Sequence, residues 1–208
     1  MRLVISLLPG LFMASALAGC DRQNPPAPQG NGANAVAAAP TAPGGAGGNE
    51  AAAHADYPTG RLDRSHAGTA MPGLAFEGPD GRPIRLAAFH GRPVLVNFWA
   101  TWCGPCIVEM PSLDRLAGQQ AAGGLQIVAI SQDSDGRRKV SDFFAAHPFQ
   151  HLQPYLDSET GLMFALGLDT LPTTILFDSR GREVWRMVGM ADWQSERIAR
   201  LLLEADAG

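Results

Sequence analysis

From Ala67 onward, short apolar runs of strand length take turns with segments whose apolar residues recur every three or four positions. Leu74-Ala75-Phe76 and Ile84-Arg85-Leu86 flank Gly78-Pro79-Asp80-Gly81, a turn-forming set, and predict a short hairpin. Val94, Leu95, Val96, Phe98 and Trp99 make a nearly unbroken apolar run after Pro93, as expected of a central strand covered on both faces. A helix is predicted from Cys103 to about Gly118, a second core strand over 125–131, and a surface helix over 136–147 that stops before Pro148. Residues 158–167 read as a further short helix with Ser158 as its N-cap. Thr173–Phe177 and Glu183–Val188, separated by Asp178-Ser179-Arg180-Gly181, predict an antiparallel hairpin. Residues 193–204 close the chain as an amphipathic helix with Ile198, Leu201 and Leu202 on one side. Strands and helices in this order predict an α/β fold with a parallel core and a terminal hairpin.

The first third of the 208 residues shows neither period. From Asp21 to about His66 it is mostly Ala, Pro, Gly, Asn and Gln, and includes Asn24-Pro25-Pro26-Ala27-Pro28 and Gly44-Gly45-Ala46-Gly47-Gly48. Such a stretch has too little apolar surface to offset the entropy of ordering it. The expected organisation is therefore a leader (1–20), a disordered tether (21–66) and one domain (67–208). As a flexible coil the tether spans roughly 35 to 40 Å. The leader begins with Arg2 and is largely apolar from Leu3 to Leu17, but Pro9 and Gly10 break it, which suits an export signal better than a membrane span. Its end, Leu17-Ala18-Gly19-Cys20, resembles the lipobox of bacterial lipoproteins. That resemblance implies acylation of Cys20 and a lipid anchor, and Asp21 after it resembles an inner-membrane retention signal.

Charge narrows the partners. A formal charge of -4, with scattered arginines and Lys139 as the only lysine, leaves no basic patch for nucleic acid. The five histidines, among them His54, His66, His90, His147 and His151, form no ligand spacing and read as surface residues.

Of the three cysteines, Cys103 and Cys106 form a Cys-x-x-Cys pair, a spacing shared by metal sites and redox pairs. A metal would need further ligands that the sequence does not space nearby, so neither a metal nor any other cofactor is expected. The pair opens a helix directly after a buried strand, where unpaired backbone N–H groups and the helix dipole favour a thiolate. Cys103, at the exposed end, is the expected nucleophile. Cys106, one turn on, is placed to resolve a mixed disulfide, and Gly104-Pro105 suits the first helical turn.

The run Val94-Leu95-Val96-Asn97-Phe98-Trp99-Ala100-Thr101-Trp102-Cys103-Gly104-Pro105-Cys106 resembles the thioredoxin superfamily, and in particular its TlpA/ResA/CcmG-like membrane-anchored branch. The likeness extends through Glu109-Met110-Pro111, an insert between Asp133 and Leu166, and Leu171-Pro172-Thr173. It implies a thioredoxin-like fold, a cis-proline at Pro172 facing the cysteines, and a structural, helix-kinking Pro111. Trp102 and Leu171, with Pro172, are implied to shape the groove for the partner chain, and Trp99 to pack in the core. Thioredoxins carry a buried Asp at the position of Asn97, which cannot titrate. The branch has a glutamate matching Glu109 that is implicated in tuning the thiols, and a carboxylate near the pair would have a raised pKa. The alternative for Glu109 is a solvated helix residue near Arg115.

By the same resemblance the domain would be a thiol-disulfide reductase in the periplasm, lipid-anchored to the inner membrane. It would take electrons from a membrane thiol donor of the DsbD/CcdA type and reduce disulfides of envelope proteins, apocytochromes c being one candidate. Direction depends on relative potentials, so a disulfide oxidase or isomerase stays open, although Gly104-Pro105 resembles reducing thioredoxins. A non-catalytic module holding copper through soft thiolates is the reading from a different class.

Overall fold

In the computed structural model the described residues are 60–206, apart from 121 and 123. The leader, Cys20 and nearly all of the tether lie outside them. Eight strands form one sheet: β1 (Arg61–Asp63), β2 (Ala75–Glu77), β3 (Pro83–Arg85), β4 (Val94–Trp99), β5 (Gln126–Ser131), β6 (Tyr155–Leu156), β7 (Thr173–Phe177) and β8 (Glu183–Val188). Their order across the sheet is β1-β8-β7-β4-β5-β6-β2-β3. The centre, β4 beside β5, is parallel, and β7 and β8 add to the other edge of β4 antiparallel. The helices are α1 (Gly104–Gln120), α2 (Arg137–Ala146), α3 (Gly161–Ala165) and α4 (Glu196–Leu202). This mixed sheet flanked by helices is a thioredoxin-like α/β fold, as expected.

All six residues of β4 are buried, and the strand's period of two sends them to opposite faces. Val94, Val96 and Phe98 join Val128, Ile130, Ile175 and Phe177 in one core. Leu95 and Trp99 join Met110, Leu113, Leu176 and Trp185 in the other, beneath α1. Removing such side chains from water contributes about 1.5–3 kcal/mol each. The central strand thus sets the turn that leads to Cys103 on a rigid base.

Several boundaries differ from the sequence reading for identifiable reasons. The sheet begins at Arg61, upstream of the boundary at 66/67, because β1 pairs with β8 (Arg61 opposite Val188, Asp63 opposite Arg186). A three-residue edge strand has too few apolar positions to register in composition. The short helix starts at Gly161, not at residue 158. Ser158 does not cap it; the Asp157 carboxylate accepts from Gly161 N–H (3.2 Å) and Leu162 N–H (2.8 Å). The last helix starts at Glu196, where the Ser195 hydroxyl caps Ile198 N–H, and Trp193 belongs to the preceding loop. Helix α1 runs through Pro111, and His147 is half-buried, stacked on Phe143 with Phe149 nearby rather than lying free on the surface.

Candidate active site

At the end of β4 the chain turns through Ala100-Thr101-Trp102, and Cys103 N–H bonds Ala100 C=O (3.1 Å) before α1 begins. The Asp133 carboxylate at the end of β5 holds this turn. It accepts from Thr101 N–H (2.9 Å), the Thr101 hydroxyl (2.6 Å) and the Ser131 hydroxyl (2.7 Å). These donors and Lys139, 3.4 Å away, lower its pKa against the opposing cost of burial. The anion is therefore a fixed anchor for the residues leading into Cys103.

Cys103 and Cys106 are joined in a disulfide, with Cα atoms 5.3 Å apart. Cys106 N–H also points at the Cys103 sulfur (3.3 Å). Cys106 is fully buried and Cys103 is only 6% exposed, less than its place at a helix start suggests. What exposure exists opens into a pocket of about 710 Å³ that Cys103 lines together with Trp102, Met163, Phe164, Leu168 and Leu171. One sulfur is therefore reachable and the other is sealed beneath the helix.

The Leu171-Pro172 peptide is cis, and Leu171 forms one wall of that pocket. The Pro172 carbonyl accepts from Gly189 N–H (2.8 Å). Any backbone group this loop offers an incoming chain must therefore come from the residues ahead of Pro172.

Glu109 lies three residues after Cys106 on α1 and is fully buried. It is not a solvated partner of Arg115. Its Oε1 accepts from Asn97 Nδ2 (2.8 Å) and its Oε2 from Ala191 N–H (2.9 Å). Asn97 also donates to the Thr174 hydroxyl (2.8 Å), its opposite residue on β7, while its own Oδ1 stays unpaired. Burial pushes the Glu109 carboxyl up from 4.5 to about 7, because desolvation outweighs the hydrogen bonds that favour the anion. The loop after β8 seals it: Met190, Ala191 and Trp193 are buried, and Trp193 N–H and Gln194 Nε2 bond the hydroxyl and carbonyl of Ser112 on α1. The structure thus gathers Trp102, Cys103, Cys106, Glu109 and Leu171 around the start of α1, and Pro172 enters through its cis bond to Leu171. It also brings in residues that sequence reasoning passed over: Asp133, Gln132, Met163, Phe164 and Asp169. Asp133 alone had a local signal, an acid two residues past an apolar strand.

A disulfide at the mouth of a helix, one sulfur open to a pocket that the residue before a cis-proline lines and the other sealed, can exchange with an external thiol or disulfide. Protein of this build is a thioredoxin-like thiol-disulfide oxidoreductase. The Redoxin family model matches residues 66–202, and the chain belongs to that family. It is 30% identical over 146 residues to thiol-disulfide oxidoreductase ResA of Halalkalibacterium halodurans, covering 67% of this chain and 80% of that protein. It is 33% identical over 116 residues to ResA of Geobacillus thermodenitrificans, covering 55% of this chain and 65% of that one. Among solved structures, a protein provisionally identified as thiol:disulfide interchange protein DsbE of Chlorobium tepidum superposes with a TM-score of 0.61. That match has 27% identity and covers 67% of this chain and 96% of that one.

Proposed function

We propose that this oxidoreductase works as a reductase of protein disulfides outside the cytoplasm, held at a membrane by a lipid on Cys20. The observation that carries the direction of attack is the asymmetry of the pair: Cys103 borders the open pocket and Cys106 is sealed. In the reduced protein the Cys103 thiolate attacks a target disulfide, forming an interprotein S–S bond and releasing the first target thiolate, which takes up a proton. Cys106 then loses its proton and attacks Cys103. The interprotein bond breaks, the second target thiol leaves, and the Cys103–Cys106 disulfide forms. Two electrons and two protons pass to the target, and an external dithiol, of the DsbD/CcdA type by the resemblance above, restores the pair.

Glu109 is the group that takes the proton from Cys106. It sits one turn along the same helical face and is poised near neutrality, where a carboxylate gives up and regains a proton readily. Asn97 positions it, and a half-turn of the Asn97 amide would present Oδ1 to the protonated acid. Reduction is favoured over oxidation because Gly104-Pro105 resembles the dipeptide of reducing thioredoxins, and the resemblance to the TlpA/ResA/CcmG-like branch points to disulfide-bearing envelope proteins, apocytochromes c among them, as the class of target. The anchor is supported by Leu17-Ala18-Gly19-Cys20. No helix among the described residues is long and apolar enough to cross a membrane.

Trapping tests this reading. In Cys106→Ser the second step has no nucleophile, so mixed disulfides through Cys103 should accumulate in cell envelopes and disappear on reduction. Capture of oxidised envelope proteins supports the reductase. An absence of any mixed disulfide, together with stoichiometric copper binding by the reduced wild type, would instead support the copper-holding module.

A further inference from the structure

We propose that α3 and the loop after it form a selectivity pocket that reads the residue beside the target cysteine, accepting a large apolar side chain and rejecting a carboxylate. This rests on the thiol-exchange reading of Cys103 and says which disulfides that sulfur prefers.

Two aromatic rings stand in water around one sulfur. Phe164 on α3 is 89% exposed and Trp102 is 66% exposed, whereas the other aromatic side chains of the domain are buried or half-buried. Both line the pocket at Cys103, and the half-buried Met163, Leu168 and Leu171 fill in between them. An apolar surface of this kind gains free energy only when something covers it. Its volume, about 710 Å³, is enough for a side chain and the adjoining backbone. Cys106 is sealed, so a target sulfur must come in over this surface, and the residues next to it in sequence, only ~3.8 Å away from Cα to Cα, must settle here.

The polar groups in the lining set the charge preference. Asp169 is the only charged residue among them. A carboxylate side chain would meet an anion, and no cation to balance it. An apolar side chain meets no such repulsion. The wall is also fixed in advance. Asp157 caps the first turn of α3, and Arg186, paired in the core with Glu183, holds the Leu166 carbonyl at its other end (3.0 Å). Binding therefore loses little to ordering the wall.

The test uses the reduced full-length protein and peptides with an internal Cys-Gly-Gly-Cys disulfide, varying the residue before the first cysteine among Leu, Ser, Glu and Lys. The rate constant for peptide reduction is read by chromatography of the thiols. Leu should exceed Ser by about tenfold, roughly the worth of half-burying that side chain, and Glu should fall below Ser. Phe164→Ala should bring the Leu-to-Ser ratio close to one while Phe164→Trp keeps it, and Asp169→Lys should invert the order of Glu and Lys. General damage to the fold would lower all rates and leave the ratios alone. Equal rates for the four peptides, or a Leu-to-Ser ratio untouched in Phe164→Ala, would overturn the pocket. Wild-type reduction of 2-hydroxyethyl disulfide runs alongside: if that fails too, the exchange reading itself falls.

Discussion

Replacing Glu109 by Gln removes one titrating proton from the middle of the domain, and the consequence can be worked out. In the folded, oxidised protein the carboxyl is raised from 4.5 to about 7 by burial. The folded state therefore holds the Glu109 proton more tightly than the unfolded chain does. Its contribution to stability is complete below about pH 4.5, is lost as pH rises to about 7, and stays lost above that. At about 1.36 kcal/mol per pH unit, that interval amounts to roughly 3 kcal/mol. Urea unfolding of oxidised wild type and Glu109→Gln, followed across this interval, should show the wild type losing about 3 kcal/mol more than the variant as pH rises. Asp133 and Asp157 titrate in both proteins, so the difference between the two curves isolates Glu109. The same substitution tests the proton-transfer role. Release of the target from the mixed disulfide should accelerate through about pH 7 in the wild type. In the variant the acceleration should move toward ~8.5, the ordinary range of a thiol. Parallel stability curves would refute the argument from burial, and an unmoved kinetic profile would remove Glu109 from the chemistry.

Other substitutions probe the frame around the site. Asp114→Ala should cost about 3 kcal/mol in chemical denaturation, because its carboxylate accepts from the N–H groups of Gln150, His151 and Leu152 and their loop would lose all three bonds. Asp133→Ala should cost about 1–3 kcal/mol by orphaning Thr101 N–H, and should slow attack by Cys103 in stopped-flow thiol exchange more than it slows the later release step. Gly189→Ala should destabilise by at least about 1 kcal/mol, read as a lowered Tm. Gly189 has φ +92°, and a Cβ there would lie 3.2 Å from the Gly60 Cα.

Where a signal was local, the sequence was enough. The apolar run from Val94 to Trp99 could only be a central strand, and the turn Asp178-Ser179-Arg180-Gly181 placed the β7–β8 hairpin to the residue. Contacts between segments far apart in the chain were not legible. Glu109 reads as one more polar helix residue until Ala191, 82 positions later, supplies a backbone N–H and Trp193 a roof. The pocket beside Cys103 is likewise assembled from three separate stretches, and Phe164 carries no sign of it because an exposed Phe and a core Phe look alike in a short helix. Strand β1 escaped notice for a physical reason of another kind: it is held by backbone pairing to β8, which leaves no trace in side-chain pattern.

That small strand bears on the chemistry. Gly60 N–H bonds the Met190 carbonyl (2.6 Å), and the space between Gly60 and Gly189 is too narrow for a side chain on either. The loop held in this way is the one whose next residue, Ala191, bonds Glu109. The raised pKa of Glu109 depends on that loop excluding water, so a contact made by Gly60, just ahead of β1, helps set the proton affinity beside Cys106.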